Sequence, residues 1–145
     1  MIDINYILNK YPQAKVFEDG FNPLEAKHNG ELGKVQVNIQ KKKWGGEAWL
    51  VYTDKYALKI LYVNKGSRLS LQKHNKKQET WHILKGNPEM VLGEEVLVGN
   101  IGDVIHIPTG TVHRLSAPTN DVEVLEVSTP ELDDLVRIED DFGRK

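Results

Sequence analysis

Four side chains in two short stretches have the types and spacing to hold a metal ion: Gln72, His74 and Glu79 in the first, His113 in the second. Two imidazoles, a carboxylate and a carboxamide oxygen form a donor set that suits one divalent ion, Zn, Mn, Co, Ni or Fe, rather than Ca or Mg. Gln72 is the least committed of the four, since its amide could instead contact substrate. The chain has no cysteine, so thiolate ligands and disulfides are both excluded. Cationic side chains gather nearby: Arg68 within the first stretch, Lys77 just before Glu79 at the mouth of the site, and Lys59 inside an otherwise apolar run. Three cations around one motif point to an anionic ligand, phosphorylated or carboxylated. The other histidines carry weaker signals. His82 has the parity of the outward face, His106 reads as a packed or hydrogen-bonded strand residue, and His28 reads as a surface residue beside Asn29-Gly30.

These groups meet only if strands bring them together. From Arg68 to His74 the residues alternate, which puts Arg68, Ser70, Gln72 and His74 on one face. Asn75–Gln78 reads as a turn, and Glu79 opens a second strand ending at Lys85-Gly86. Further on, Gly102–Ala117 is a short apolar strand, a Pro108-Thr109-Gly110 turn, and a strand opened by His113. The surrounding sequence is strand-rich. Lys34–Gln40 alternates with Val35, Val37 and Ile39 inward, and Glu47–Tyr52 and Tyr56–Val63 flank a Thr53-Asp54-Lys55 turn. Strands are also expected at Met90–Leu92, Glu95–Val98, Asp103–Ile107, His113–Ser116 and Val122–Val127. Trp44, Trp49 and Trp81 read as core, with stacking on a sugar as the alternative. Asp3–Tyr11 is the main helical segment, with Asp3 as N-cap and Pro12 as its stop. Val16–Gly33 reads as loop or irregular strand, and in the tail Leu132, Leu135, Val136 and Ile138 suit a helical turn before an extended end. Turn residues recurring every eight to twelve positions describe an all-β sandwich or barrel.

At 145 residues the expectation is one domain: residues 1–33 as an N-terminal extension, 34–128 as a β-barrel core, 129–145 as a tail. A formal charge of −2 and a pI near 6.2 give no electrostatic reason to expect nucleic acid or an anionic membrane as partner. The N-terminus shows no basic region followed by an apolar run, and no stretch is long enough to span a bilayer. The default expectation is a cytoplasmic protein.

The two stretches together resemble the paired motifs of the cupin superfamily. Gly66, Gln72, His74, Glu79 and Gly86 fill the first motif with its spacing intact, and Gly102, Pro108, Gly110 and His113 fill the second. That resemblance implies a double-stranded β-helix, a jelly-roll barrel, with a short N-terminal helix and an irregular C-terminal tail. A narrower resemblance runs from about Trp44 to Arg144. The phrases RLSLQKH, KQETWHILKG, IPTGTVHRL, EVLEV and DDLVRIEDDFGR look like the type II mannose-6-phosphate isomerase group, whose cupin is often the C-terminal half of a bifunctional enzyme with mannose-1-phosphate guanylyltransferase activity. No glycine-rich nucleotide loop precedes the motifs here, so a stand-alone cupin is expected.

The resemblance implies interconversion of mannose 6-phosphate and fructose 6-phosphate through an enediol(ate), with a divalent metal on His74, Glu79, His113 and Gln72. Lys59 or Arg137 would stabilise charge or steer the proton, and Arg68, Lys77 or Arg144 would hold phosphate. The general base is not legible. Two departures stand out: Lys77 replaces an arginine two residues before the motif glutamate, and Asn75-Lys76 replaces a histidine-rich run. Lysine keeps the charge but loses bidentate phosphate recognition. The alternatives are a non-catalytic cupin that binds a sugar or sugar nucleotide, and another metal enzyme such as an Fe(II) oxygenase. By analogy with cupins a homodimer is expected, with Lys34–Gln40 as the strand that crosses to the partner.

Overall fold

The computed structural model describes residues 2–144. A short helix α1 (Ile4–Lys10) precedes β1 (Lys15–Phe17), a 3-10 turn at Pro23–Ala26, β2 (Asn38–Lys42), β3 (Gly45–Tyr52) and β4 (Ala57–Val63). Then follow β5 (Leu71–Lys73), β6 (Glu79–Lys85), β7 (Glu89–Leu92), β8 (Glu95–Val98), β9 (Val104–Ile107), β10 (His113–Ser116), β11 (Val122–Ser128) and β12 (Val136–Glu139). They form two sheets, ordered β1-β2-β3-β4-β11-β6-β9 and β12-β5-β10-β7-β8. Only β1 with β2 is parallel among the described pairings. No helix is long and apolar enough to cross a membrane among the described residues.

Side chains from both sheets build the main core, with Leu61, Val63, Trp81, Ile83, Val122 and Val124 from one sheet meeting Met90 and Leu115 from the other. A second cluster lies on the opposite face of the larger sheet. There Ile7 of α1 covers Ile39, Ala48, Ile60 and Tyr62. The Asp3 carboxylate caps the helix by accepting from the Tyr6 N–H at 2.9 Å. Tyr6 and Lys10 then tie the helix to buried Glu123 at 2.6 and 3.1 Å.

The period-2 alternation of the strands decides what enters the barrel. Along β4, Ile60 and Tyr62 lie under the helix, so Lys59 shares the inward face of Leu61 and Val63. Along β11 the same parity sets Glu126 with Val122 and Val124, and along β6 it sets Glu79 with Trp81 and Ile83. Register places Glu126 opposite Lys59 on one side and Trp81 on the other. The barrel interior therefore changes from apolar to charged along its strands, and the candidate site lies at the charged end.

Within Val16–Gly33, read as loop or irregular strand, Val16–Phe17 belong to a strand that pairs beside β2. Two expectations are corrected. The Lys34–Gln40 strand begins only at Asn38, which leaves Val35 and Val37 half-buried in irregular chain. The tail forms no helical turn: Val136–Glu139 is a strand against β5, because the exposed edge of that short strand satisfies more backbone groups than an isolated turn could.

Candidate metal centre

His74 follows β5, Glu79 opens β6 and His113 opens β10, so three strand ends from two sheets deliver the cluster. One ligand atom from each lies within 4.8 Å of the others, and all three residues are at most 5% exposed. Glu79 Oε1 is 3.1 Å from His113 Nε2, and Glu79 Oε2 is 3.6 Å from His74 Nε2. The imidazoles are tilted 39° with centroids 5.2 Å apart. One backbone device supports this arrangement: Gly110, at φ +84°, turns the chain so that its N–H donates to the His74 carbonyl at 2.8 Å.

Each imidazole uses Nδ1 on a main-chain carbonyl, His74 on Asp134 at 2.7 Å and His113 on Thr111 at 2.8 Å. A carbonyl can only accept, so Nδ1 carries the proton and Nε2 of the neutral ring presents a lone pair to its partners. His74 Nε2, His113 Nε2 and both Glu79 oxygens are buried without a hydrogen bond in the protein. Such atoms cost about 1–3 kcal/mol each when left unpaired, and a metal ion would satisfy all four. Burial opposes a charge on His113, but Glu79 beside it raises its pKa, so a bound metal would take the place of a proton that this ring otherwise favours. Burial and the nearby Lys77 hold the His74 imidazolium back from forming. Burial opposes the Glu79 charge, yet His113 and Lys77 outweigh it and hold the carboxyl below the ordinary range. The cluster could hold a divalent ion through two neutral imidazoles and one carboxylate.

His74 and Lys77 lead from the cluster to a cavity of about 410 Å³, which Gln72 also lines. Gln72 sits opposite His113 in register, and its Oε1 accepts from Ser70 Oγ at 3.1 Å. A chain of buried charges runs along the wall. Lys77 Nζ is 3.2 Å from Glu79 and 3.8 Å from Glu126, and Lys59 Nζ is 3.5 Å from Glu126 and 2.7 Å from Glu47. Trp81 Nε1 donates to Glu126 at 3.2 Å, and Lys59 lies 4.6 Å from the Trp49 ring centre. Burial favours a neutral Lys59, but Glu126 and Glu47 reverse this and keep it protonated.

The family described as "Mannose-6-phosphate isomerase C-terminal" matches residues 29–140. The chain belongs to this family. The chain is similar to the xanthan biosynthesis protein XanB of Xanthomonas campestris pv. campestris, 35% identical over 107 residues, or 71% of this chain and 23% of XanB. A mannose-1-phosphate guanylyltransferase of Sinorhizobium fredii is 32% identical over 104 residues, 69% of this chain and 20% of the relative. The chain thus spans about a fifth to a quarter of the curated relatives it matches. The cupin-2 domain Rru_A2000 of Rhodospirillum rubrum superposes with a TM-score of 0.64 at 19% identity, covering 77% of this chain and 81% of that one, and it establishes the cupin fold.

This family member gathers some of the residues that its sequence singles out and separates others. Lys59, Lys77, Arg137 and Arg144 line the cavity together with Gln72 and His74. Lys77, expected at the mouth, is instead 8% exposed between two carboxylates. Arg68 does not line the cavity: its guanidinium binds the Asp141 carboxylate at 2.7 and 2.8 Å on the surface. Regular pairing starts only at Leu71, so the inward parity of Gln72 does not carry back to residue 68, and Leu69 packs on the core instead. His106 is exposed with Nδ1 3.1 Å from Thr80 Oγ1, His28 Nε2 lies 2.8 Å from the Glu31 carbonyl, and His82 is half-buried away from the cluster. Glu47 and Glu126 were missed. Their signal was available, because each is a strand glutamate sharing parity with apolar inward residues.

Proposed function

We propose that this chain is a metal-dependent sugar-phosphate isomerase that interconverts mannose 6-phosphate and fructose 6-phosphate. The observation that carries this reading is the cluster of His74, Glu79 and His113, with its unsatisfied buried donor atoms, beside a cavity lined by five cations and three carboxylates. The family's description supports the same chemistry. Gln72, opposite His113 in register and on the cavity wall, would add a fourth ligand, an oxygen, or meet a sugar hydroxyl.

Aldose–ketose exchange moves one proton between C1 and C2 and a second between the two oxygens, so it needs a base and a stabiliser for developing negative oxygen. A bound divalent ion would supply polarisation of the sugar oxygens. Lys59, kept protonated by Glu47 and Glu126, acts as a fixed cation and not as a base. Glu126 takes the base role: it is a carboxylate on the cavity wall, Trp81 fixes its Oε1, and its Oε2 has no hydrogen bond. It would accept the C2 proton and return it to C1, and the reverse for the ketose.

The test is turnover of mannose 6-phosphate by protein stripped with chelator and resupplied in turn with Zn, Mn, Co, Ni and Fe(II). Activity that returns with metal, and falls at least 100-fold in Glu126→Gln with metal still bound, is expected. Stoichiometric metal and tight substrate binding without turnover would instead indicate a sugar-binding cupin.

A further inference from the structure

The five cations on the cavity wall are not equivalent. Lys59 and Lys77 each lie between two buried carboxylates, Lys59 between Glu47 and Glu126, Lys77 between Glu79 and Glu126. Their charge is already matched. Lys42 and Arg144 each meet one carboxylate, Glu47 and Asp140, and Arg137 lies close enough to Arg144 for their charges to repel. Lys42, at the end of β2, has a 3.4 Å pair with Glu47, a carboxylate already bonded to Lys59 at 2.7 Å. Arg144 meets Asp140 through Nε and one terminal nitrogen. Arg137, on β12, is lowered from the usual guanidinium pKa by burial and by the like charge of Arg144. Like charges gathered on one cavity wall carry an electrostatic cost that an anion relieves.

A second observation is independent of charge. Trp44 and Trp49 line the same cavity, are 2% and 8% exposed, and bury indole N–H donors that meet no acceptor in the protein. A buried donor without a partner calls for a ligand rich in acceptor oxygens. Trp44, Lys42 and Arg144 also line a neighbouring cavity of about 360 Å³ that holds Lys41, Lys43 and Phe142, so these three residues stand where the two spaces adjoin.

We propose that Lys42, Arg137 and Arg144, with the Trp44 indole N–H, form the seat for the substrate's phosphate group. The seat deepens the sugar-phosphate reading above and rests on it. It moves Arg137 from proton handling to anion binding, brings in Lys42, which no motif singles out, and leaves Arg68 and Lys77 out of phosphate recognition. The sugar's reacting carbons then face the His74 side of the same cavity.

The metal-loaded full chain is titrated calorimetrically with inorganic phosphate, mannose 6-phosphate and mannose. Phosphate and mannose 6-phosphate should bind, and mannose at least tenfold more weakly than its phosphate. Lys42→Met and Arg137→Met should each weaken both phosphate ligands at least tenfold with metal stoichiometry and the native circular dichroism spectrum retained. Trp44→Phe, which keeps an aromatic ring and removes the N–H, should weaken them severalfold. Arg144→Lys keeps charge but breaks the fork against Asp140, and supplies a milder variant should other changes at that site unfold the chain. Lys55→Met, in an exposed turn, is the charge control and should change affinity less than twofold. No phosphate binding by the native chain, or unchanged affinity in Lys42→Met and Arg137→Met, overturns the seat. Loss of phosphate binding in these variants, with no turnover by the native enzyme, would leave the seat standing and remove the isomerase. Turnover with unchanged phosphate affinity would do the reverse.

Discussion

His74 Nδ1 donates to the carbonyl oxygen of Asp134 at 2.7 Å, sixty residues along the chain, so a candidate metal ligand takes its orientation from the C-terminal segment. The same Asp134 accepts the backbone N–H groups of Asn75, Lys76 and Lys77 on its carboxylate. One residue thus closes the turn that separates His74 from Glu79. The tail is part of the site's construction, which gives a structural reason for the family match to run to residue 140.

Asp134→Ala should therefore loosen the centre without removing a ligand. Groups that orient metal-bound histidines typically contribute 10- to 100-fold in metal affinity. We expect a loss of roughly that size for Zn, measured by competition with a chromophoric chelator. Affinity within twofold of the native chain would mean that the Asp134 carbonyl, which alanine retains, orients His74 unaided.

Removing a ligand should act more strongly. His113→Ala and Glu79→Gln should each lose stoichiometric metal. In the native chain, metal at about 100 times its dissociation constant should add about 2.7 kcal/mol of stability, seen as a rise in melting temperature. Neither variant should show the rise. A variant that still gains stability with one equivalent of metal would place the ion elsewhere.

Much of this architecture was legible because it rests on local rules. The strands from β3 to β11, the Asp3 cap and the convergence of His74, Glu79 and His113 follow from local patterning, capping chemistry and glycine-bearing turns at fixed spacings. Arg68 was misplaced because parity holds only inside a regular strand, and β5 is three residues long. Lys77 looked like a mouth residue because its two carboxylate partners include Glu126, which lies 49 positions away and enters only through the β11–β6 pairing. Its burial was a tertiary fact. Lys42 gave no signal either, as a lysine run reads as a solvated turn until a wall forms behind it.

Arg68 supplies a test of that correction. It is exposed, and its carboxylate partners Glu139 and Asp141 are also on the surface. Exposed pairs of this kind contribute about 0–1 kcal/mol. Arg68→Ala should change melting temperature by no more than a few degrees and KM for mannose 6-phosphate by less than twofold in steady-state assays. A tenfold rise in KM would return Arg68 to the site.

Lys59 should behave in the opposite way. Its ammonium separates Glu47 and Glu126, and all three are largely buried. Removing one partner of a buried pair leaves an uncompensated charge and typically costs about 3–5 kcal/mol. Lys59→Met should destabilise by about that much in urea unfolding, and Glu47→Gln introduced beside it should recover part of the loss. Additive losses in the double variant would show that the two residues do not interact.

Glu47 also sets a pH dependence. Burial raises its carboxyl pKa, but Lys59 and Lys42 outweigh burial and bring it down from 4.5 to about 2. A group whose pKa falls on folding stabilises the fold when ionised. Its contribution is complete above the unfolded value of about 4.5 and is lost as pH drops from there towards 2. The size is roughly 3 kcal/mol, at about 1.36 kcal/mol for each pH unit that separates the folded and unfolded values. The stability gap between the native chain and Glu47→Gln, measured by urea unfolding at successive pH values, should hold constant from pH 7 to about 5 and narrow below it. A gap that stays constant down to about pH 3 would mean that Glu47 is not held by its two lysines.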